Sequence, residues 1–549
     1  MDRKQARLFS PTLDAMISED HPVRLFDEIL SQLDWRPWKA RYPRRVGRPP
    51  IPPKVMASVI LYGLSVGIRS SRRLEEACLM RIDFLWLASG RDIDHSTICN
   101  FRTMFADELK DTFRQVGRVA MTMGLMRLNR IGLDGTRERA NSSGHRTATA
   151  KTLQERLAAL DAEIEAAFAE AAADEHRDKD LFGDSTPNKL PPDLAELKRR
   201  QERLLKALDK ARAMDAKRGR TQEQTATTAE QEPQSGQKAQ NSPQEPAGPA
   251  SKGKQRAAKV PVADPDAAVM PNKDGGHAPN YTPVLAMDDE RGYIADAEVD
   301  NRPIEGQTTV ATVDRIEETF GVRPQEVVAD GAYADGQALA ELESRGVQPY
   351  VPVVTAAGDG RDNPAVRADP TQPVAPEDWD RLPRSKKGGK GRMTLDRSAF
   401  LYDKVEDCFY CPMGRKLERL DVLNCRRTDG HVVRTYRYEC VGCAGCPLSD
   451  ACRQGSGARR VQVDEYEEVR QRVSLATKST EGQAAYKRRS WICETPFAFI
   501  KTWMNFRQFL LRGHQNVKTE WMWACTAYNL RKLAGDVGRM RVKFAAMAT

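Results

Sequence analysis

The sequence predicts an α/β protein in which a mixed sheet follows an all-helical N-terminal region and is interrupted by two large insertions. Three observations lead there. Apolar side chains recur at helical spacing through roughly the first 125 residues; short alternating runs separated by helices begin at Leu128; and two long stretches fit neither pattern. At about 150 residues per domain, a chain of 549 residues is expected to form three or four folding units. The expected segments are 1–125, 126–144, 145–275, 276–356, 357–480 and 481–549.

In the first segment, Pro52 and Pro53 open a helix carrying Val55, Val59, Ile60 and Leu64, which Gly67 ends. Ser70 or Ser71 caps a second, Arg72 to Leu87, with Leu74, Cys78, Ile82 and Leu85 on one face. Asp94 can cap a third, which carries Ile98, Phe101 and Phe105 and runs on through Arg114 and Arg118. This helix–turn–helix shape makes the start of the third helix, with Asn100, Arg102 and Thr103, the candidate groove reader. Arg41, Arg44, Arg45 and Arg48, just after Trp35 and Trp38, would add phosphate contacts.

From Leu128 to Asp134 alternation predicts a strand ending at Asp134-Gly135. Residues 145–275 look inserted. Leu153, Leu157, Leu160, Ile164 and Phe168 mark one amphipathic helix and Leu194, Leu197, Leu204, Leu205 and Leu208 another, a natural hairpin. Thr221 to Gln255 is polar and nearly free of apolar residues, so disorder is expected there. Strands Tyr281 to Met287 and Tyr293 to Val299 then form a hairpin. A helix from about Gly306 to Phe320, a strand Val327 to Ala329, a helix Gln337 to Ser344 and a strand Tyr350 to Val354 follow. Residues 357–395, rich in Gly, Pro and Asp, are expected to be loose, 400–455 are cysteine-rich, and the end is helical from about Tyr486.

Composition excludes several classes. Hydrophobic residues make up 40% and charged residues 30%, which removes collagen, mucin and membrane-bundle readings. The apolar stretch between Lys54 and Arg69 is 14 residues, short of the roughly 20 needed for a span. Met1 leads into Asp2, Arg3 and Lys4 without an apolar core, so no secretory signal is visible and a cytoplasmic location with no membrane partner is expected. Both ends are basic, with 22 Lys+Arg against 15 Asp+Glu in 1–130 and 18 against 8 in 451–549. That distribution fits a polyanion touched by both ends.

Asp134-Gly135 and Asp330-Gly331 each end a predicted strand, where a carboxylate can project into open space. With 145–275 looped out the two lie 65 positions apart, which places them on neighbouring strands of one sheet. Such oxygens suit a hard cation, and two ions about 4 Å apart can cleave a phosphodiester. A third carboxylate, Glu494, precedes Pro496, which fits a first helical turn and would set Glu494 at the start of that helix, with Lys501 on nearly the same face.

These residues resemble the DDE transposases of bacterial insertion sequences. "LDGTRERANSS" (Leu133 to Ser143) is similar to that family's first acidic motif and "VADGAYAD" (Val328 to Asp335) to its second, while Tyr486 to Lys501 resembles its Tyr-x2-Arg-x3-Glu-x6-Lys signature. "GRPPIPPKVMASVILYGLSVGIRSSRRLEE" with "DHSTICNFR" resembles the helical N-terminal domain of these elements, and the cysteine-rich insert that of the branch numbered eleven-eighty-two. The resemblance implies a ribonuclease H-like catalytic fold and a metal-binding triad of Asp134, Asp330 and Glu494 holding Mg²⁺ or Mn²⁺. It also implies contacts from Tyr486, Arg489 and Lys501 to double-stranded DNA, both the transposon end and the target, and a homodimer. One spacing departs: four residues, not three, separate Arg489 from Glu494, so Arg488 is an alternative to Arg489 and Glu481 a rival third acid. The implied activity is metal-dependent strand cleavage and strand transfer; the alternatives are an inactive DNA-binding repressor or a stand-alone nuclease.

Beyond Lys501, Trp503, Phe506 and Phe509 interleave with Arg507 and Arg512 and could hold an unpaired base and its phosphates, although Phe506, Phe509 and Leu510 also have the spacing of a packed helix. His514 has no visible partner, and Trp521, Ala524, Cys525, Tyr528 and Leu530 read as a buried helix covering the sheet. Of 11 cysteines, seven lie in a 45-residue window. Cys411, Cys440, Cys443, Cys446 and Cys452 have spacing that lets thiolates converge on a structural Zn²⁺, with Cys408 a further candidate. Cys78, Cys99, Cys493 and Cys525 read as small core residues.

Overall fold

Pro22 and Pro53 stand in the first turns of two N-terminal helices, where the missing N–H costs nothing and the fixed φ suits the helix. The computed structural model describes residues 12–42, 50–144, 146–182, 192–230, 257–272, 275–302, 308–353, 363–386, 393–427, 431–453 and 457–548. The N-terminal helices are α1 (Pro22–Ser31), α2 (Arg36–Ala40), α3 (Pro53–Ser65), α4 (Ser71–Met80), α5 (Ile82–Leu87), α6 (His95–Met104) and α7 (Ala106–Thr122). α3 is buried continuously from Met56 to Ser65, and Gly63 lets α4 close on it, since a Cβ there would stand 2.4 Å from Leu74 Cδ2.

Two predicted helices are each broken in two. The segment Arg72 to Leu87 turns extended at Arg81, whose guanidinium meets Asp83 at 2.6 Å while Asp83 also accepts from the Tyr62 hydroxyl. The helix capped by Asp94 stops at Phe105 and restarts as α7. The break lets Phe101 and Phe105 stack together on Trp38.

The central sheet contains β1 (Arg130–Gly135), β2 (Glu138–Arg139), β5 (Ala268–Pro271), β6 (His277–Asp288), β7 (Ile294–Asp300), β8 (Glu326–Ala329) and β9 (Gln348–Tyr350). The path runs β2-β6-β1-β8-β9, and β5 and β7 also pair with β6. β6 runs antiparallel to both of its neighbours, β1 and β7, whereas β8 runs parallel to β1 and β9 parallel to β8. Helices α10 (Thr309–Phe320) and α11 (Gly336–Ser344) connect the last three strands. Leu133 is paired with Ala329, so Asp134 and Asp330 leave adjacent strands at the same level.

The first insertion is a hairpin of α8 (Ala150–Phe182) and α9 (Pro192–Glu230), with the short pair β3 (Thr147–Ala148) and β4 (Val260–Pro261) at its base. Leu153, Leu160, Ile164, Leu204 and Leu208 form its core. Residues 221–230, expected to be disordered, continue α9; extending an existing helix end avoids the cost of nucleation. The rest of that polar stretch lies outside the described residues.

The second insertion folds on its own small core. β10 (Arg384–Lys386) and β11 (Met393–Leu395) form a two-stranded sheet, and β12 (Leu401–Asp403), β13 (Cys408–Tyr410), β14 (Lys416–Arg426), β15 (Val432–Cys440) and β16 (Arg460–Asp464) an antiparallel five-stranded one, with α12 (Ser449–Cys452) between the last two strands. Part of the segment expected to be loose is therefore ordered, because Val374, Leu382 and Leu395 are buried in that core. α13 (Glu467–Lys478), α14 (Thr480–Ala498), a π-helical turn Phe499–Trp503 and α15 (His514–Ala548) complete the chain.

The N-terminal helices, the central sheet, α14 and α15 share one hydrophobic core. Trp523 of α15 touches Trp38 and Phe101, and its indole N–H donates to the Arg102 carbonyl. Arg69 and Glu520 pair across the same junction at 2.8 Å. Among the described residues no helix is long and apolar enough to cross a membrane.

Candidate active site

β1 and β8 end side by side, and two carboxylates project from their ends. Asp134 accepts from the Gly135 N–H, and Asp330 from the Ala332 N–H, capping a short 3-10 turn, both at 2.9 Å. α14 lies across these strands. It can do so because residue 132 is glycine: a Cβ there would stand 2.9 Å from Cys493 Sγ and 3.0 Å from Ile492 Cγ2. One turn earlier on α14, Arg489 Nη2 reaches 3.4 Å from Asp134 and 3.6 Å from Asp330. Burial opposes the guanidinium's charge, but Asp134 and then Asp330 outweigh it and hold its pKa above the ordinary value. The ring of Tyr486 lies 6.0 Å from that guanidinium. Its Nε is buried without a hydrogen-bond partner among the described residues. Burial pushes the Cys493 thiol well up, so it stands beside the pair as a neutral packing group.

Lys501 lies in the π turn. Its ammonium is 2.6 Å from Glu138 and donates to Thr136 at 2.5 Å. Glu138 is only 4% exposed, so Lys501 supplies charge compensation on the chain that follows Asp134. Asp134, Thr136 and Glu138 alternate along extended chain, and period-two spacing is the signal that could have revealed Thr136 and Glu138. Sequence reasoning missed both.

Glu494 is placed differently from expectation. α14 starts at Thr480, where the Ser479 hydroxyl accepts from the Gly482 N–H, and Pro496 sits inside the helix near its end. The proline removes one donor where the helix already passes into the π turn, so it kinks no long continuation. Glu494 therefore lies in the last turns of α14, exposed, and next to Cys493. Glu481 lies on the same helix near Tyr350, about 20 Å along the axis from Glu494 at 1.5 Å per residue. Arg488 is tied to the β6–β7 turn, 3.1 Å from the Asp289 carboxylate and donating to its carbonyl. Among the described residues no group of three or more His, Cys, Asp or Glu side chains is arranged to hold a metal ion as it stands.

The other candidates are spread more widely. Arg102 donates to the Arg69 carbonyl at 2.7 Å, whereas Asn100 and Thr103 on the same helix are exposed. Arg41 pairs with Glu108, Trp35 and Trp38 are buried, and Arg44, Arg45 and Arg48 lie outside the described residues. Arg507 is exposed, and Arg512 donates to the Asn141 carbonyl. Phe506 and Phe509 are buried without forming a helix: the chain from Met504 to Gly513 is irregular, with Asn505 at φ 53° and Glu520 accepting from the Leu510 and Leu511 N–H groups. His514 does have partners, the Val299 carbonyl at 2.6 Å and the stacked ring of Tyr281.

In the second insertion, Cys411, Cys440 and Cys443 share hydrogen bonds. The bond from Cys440 holds the Cys411 thiol below its ordinary value and raises that of Cys440 in turn. Cys408 is buried apart from them beside Glu406, and Cys425 is exposed. Cys99 is exposed and donates to Ser71, so it is not a core residue, unlike Cys78, Cys493 and Cys525.

Residues 410–534 match the family described as Transposase DDE domain, and residues 11–104 match the family described as Transposase domain (DUF772). No curated protein matches the chain. The first match includes Arg489, Glu494 and Lys501, and the second covers α1 to α6. Together these two matches support a DDE-type insertion-sequence transposase.

Proposed function

We propose that this protein binds the ends of its insertion sequence as a homodimer and catalyses metal-dependent cleavage and strand transfer of double-stranded DNA. The observation that carries the reading is the meeting of Asp134 and Asp330 on one guanidinium, that of Arg489. Two carboxylates drawn from positions 196 apart in sequence have a geometric reason to face a shared cation. A three-stranded antiparallel unit, β1-β6-β7, extended by two strands parallel to β1 supports a ribonuclease H-like core.

The hard carboxylate oxygens of Asp134 and Asp330 suit Mg²⁺ or Mn²⁺, and Glu494, exposed on the neighbouring helix, would complete the set. When bound, such ions activate the attacking oxygen and stabilise the leaving one in phosphodiester chemistry. Arg489 offsets the mutual repulsion of the two aspartates and presents its remaining donors toward a phosphate. Lys501, held by Glu138 and Thr136 and 28% exposed, sets a positive charge beside the scissile strand. Tyr486, beside Arg489, and the exposed Arg507 would add contacts to that strand, and Asn100 and Thr103, with Arg102 bracing their helix, would face the end sequence.

Asp330→Asn tests the reading. Cleavage of an end-containing duplex in Mg²⁺ or Mn²⁺ should fall to background while the gel-shift affinity for that duplex stays within about twofold. Undiminished cleavage by Asp330→Asn would overturn the assignment. A wild-type protein that binds ends but never cuts would be a repressor, and one that nicks without joining a nuclease.

A further inference from the structure

We infer that the second insertion carries a structural zinc site made by Cys411, Cys443, Cys446 and Cys452. The backbone is already shaped for it. In Cys411-Pro412-Met413-Gly414, the Gly414 N–H donates to the Cys411 carbonyl with Gly414 at φ 72°, and the Arg415 N–H points at Cys411 Sγ at 3.4 Å. A Cβ at Gly414 would stand 1.9 Å from the Thr371 carbonyl oxygen, so this tight turn admits glycine alone. Between Cys440 and Cys446 two more glycines, Gly442 and Gly445, turn left-handed at φ 88° and 65°. From the segment leading into β16, the Arg459 N–H is likewise directed at Cys443 Sγ at 3.5 Å. Amides directed at sulfur stabilise thiolates, the form that binds metal.

The four thiols come from three separate places, the β13–β14 turn, the loop after β15 and α12, and Cys452 lies within electrostatic reach of Cys411, Cys443 and Cys446. They are not yet a closed ligand set; closing it calls for side-chain rotation on a backbone already turned. Cys440 differs from them, since its Sγ donates to the Val441 carbonyl at 3.7 Å. Zn²⁺ with four thiolates carries a net charge of −2, reached by releasing the protons of those thiols. Two guanidiniums brace the ring: Arg367 donates to the Cys411 carbonyl and Arg459 to the Cys452 carbonyl. The small core around Val374, Leu395, Phe409 and Tyr438 is the kind that needs such a staple, and the cysteines here are free thiols, not disulfides.

The test uses the full-length chain, purified under reducing conditions without chelator. Metal analysis should give about one zinc per chain, and Co²⁺ in place of zinc should show sulfur-to-cobalt charge transfer with tetrahedral visible bands. Cys452→Ser and Cys443→Ser should each lower the zinc content by more than half, while Cys440→Ser and Cys425→Ser retain it. Because a variant that loses zinc could also unfold, wild-type protein gives the second readout: a zinc chelator should make 363–466 protease-sensitive and added zinc should reverse it. Zinc-free wild type with no cobalt spectrum, or fewer reactive thiols than cysteines after denaturation without reductant, overturns the site. Zinc lost with Cys440→Ser but kept with Cys446→Ser overturns the ligand assignment. None of these readouts depends on DNA cleavage.

Discussion

Arg489 reaches Asp134 across 3.4 Å from a helix more than 350 positions later in the chain. This ion pair joins α14 to the end of β1, and the same guanidinium extends to Asp330. Arg489→Ala should leave two neighbouring carboxylates without their built-in counter-charge and lower strand cleavage by roughly 10²–10³-fold, with Arg489→Lys recovering part of it. Single-turnover cleavage of a labelled end duplex measures both. Equal rates for Arg489→Ala and wild type would remove Arg489 from the site.

The crossing of α14 over β1 should tolerate no side chain at residue 132. Gly132→Ala is expected to cost about 1–3 kcal/mol through overpacking against Cys493 and Ile492. Cys493→Ala in the same chain should return part of that loss, which urea unfolding of the two single variants and the double can measure. Strictly additive losses would mean that the Cys493 contact is not the cause.

Arg69 and Glu520 are each about 10% exposed at the side chain, and Arg69 also donates to the carbonyls of Asn505 and Gln508 and lies 3.8 Å above the Phe506 ring. Arg69→Ala or Glu520→Ala should destabilise the protein by about 3–5 kcal/mol, because each strands a buried partner. The double variant should lose clearly less than the two single losses together. A double-mutant cycle with no coupling energy would contradict the pairing.

Asp94 caps α6 by accepting from the Ser96 and Thr97 N–H groups, and its hydrogen bonds to the Ser96 and Thr97 side chains hold its carboxyl well below the usual range. A depressed folded-state pKa adds stability above the unfolded value near 4 and loses it as pH falls toward the folded value. Asp94→Ala should therefore cost about 1 kcal/mol at neutral pH, and its melting temperature should approach that of wild type as the pH drops below about 4. A gap that widened on acidification would reverse the sign of this linkage.

Alternation made β1 legible, and the Asp-Gly pairs marked where β1 and β8 stop. The hairpin α8–α9 was legible for a similar reason, since its leucines repeat without interruption. Glu494 shows where local rules mislead: Pro496 reads as a helix start, yet Ser479 caps the helix much earlier and the proline falls where the α geometry is ending. Arg102 has the residue type and position of a base reader, but the Arg69 carbonyl takes its guanidinium, a partner far away in sequence. The Lys501–Glu138 pair depends on a strand and a π turn meeting across more than 350 residues, and nothing local announces it. The breaks at Arg81 and Phe105 likewise follow from which rings and carboxylates must be buried together.

The aromatic junction of Trp38, Phe101 and Trp523 makes the N-terminal helices and the central sheet a single caliper. Because both sides of that junction share one core, the span from α6 to the carboxylates of Asp134 and Asp330 is set by folding. Under the proposed function, the bases that α6 reads must then sit at one fixed offset from the bond to be cut. Inserting even half a helical turn of DNA between them should carry the phosphodiester out of reach while leaving the grip on the end intact.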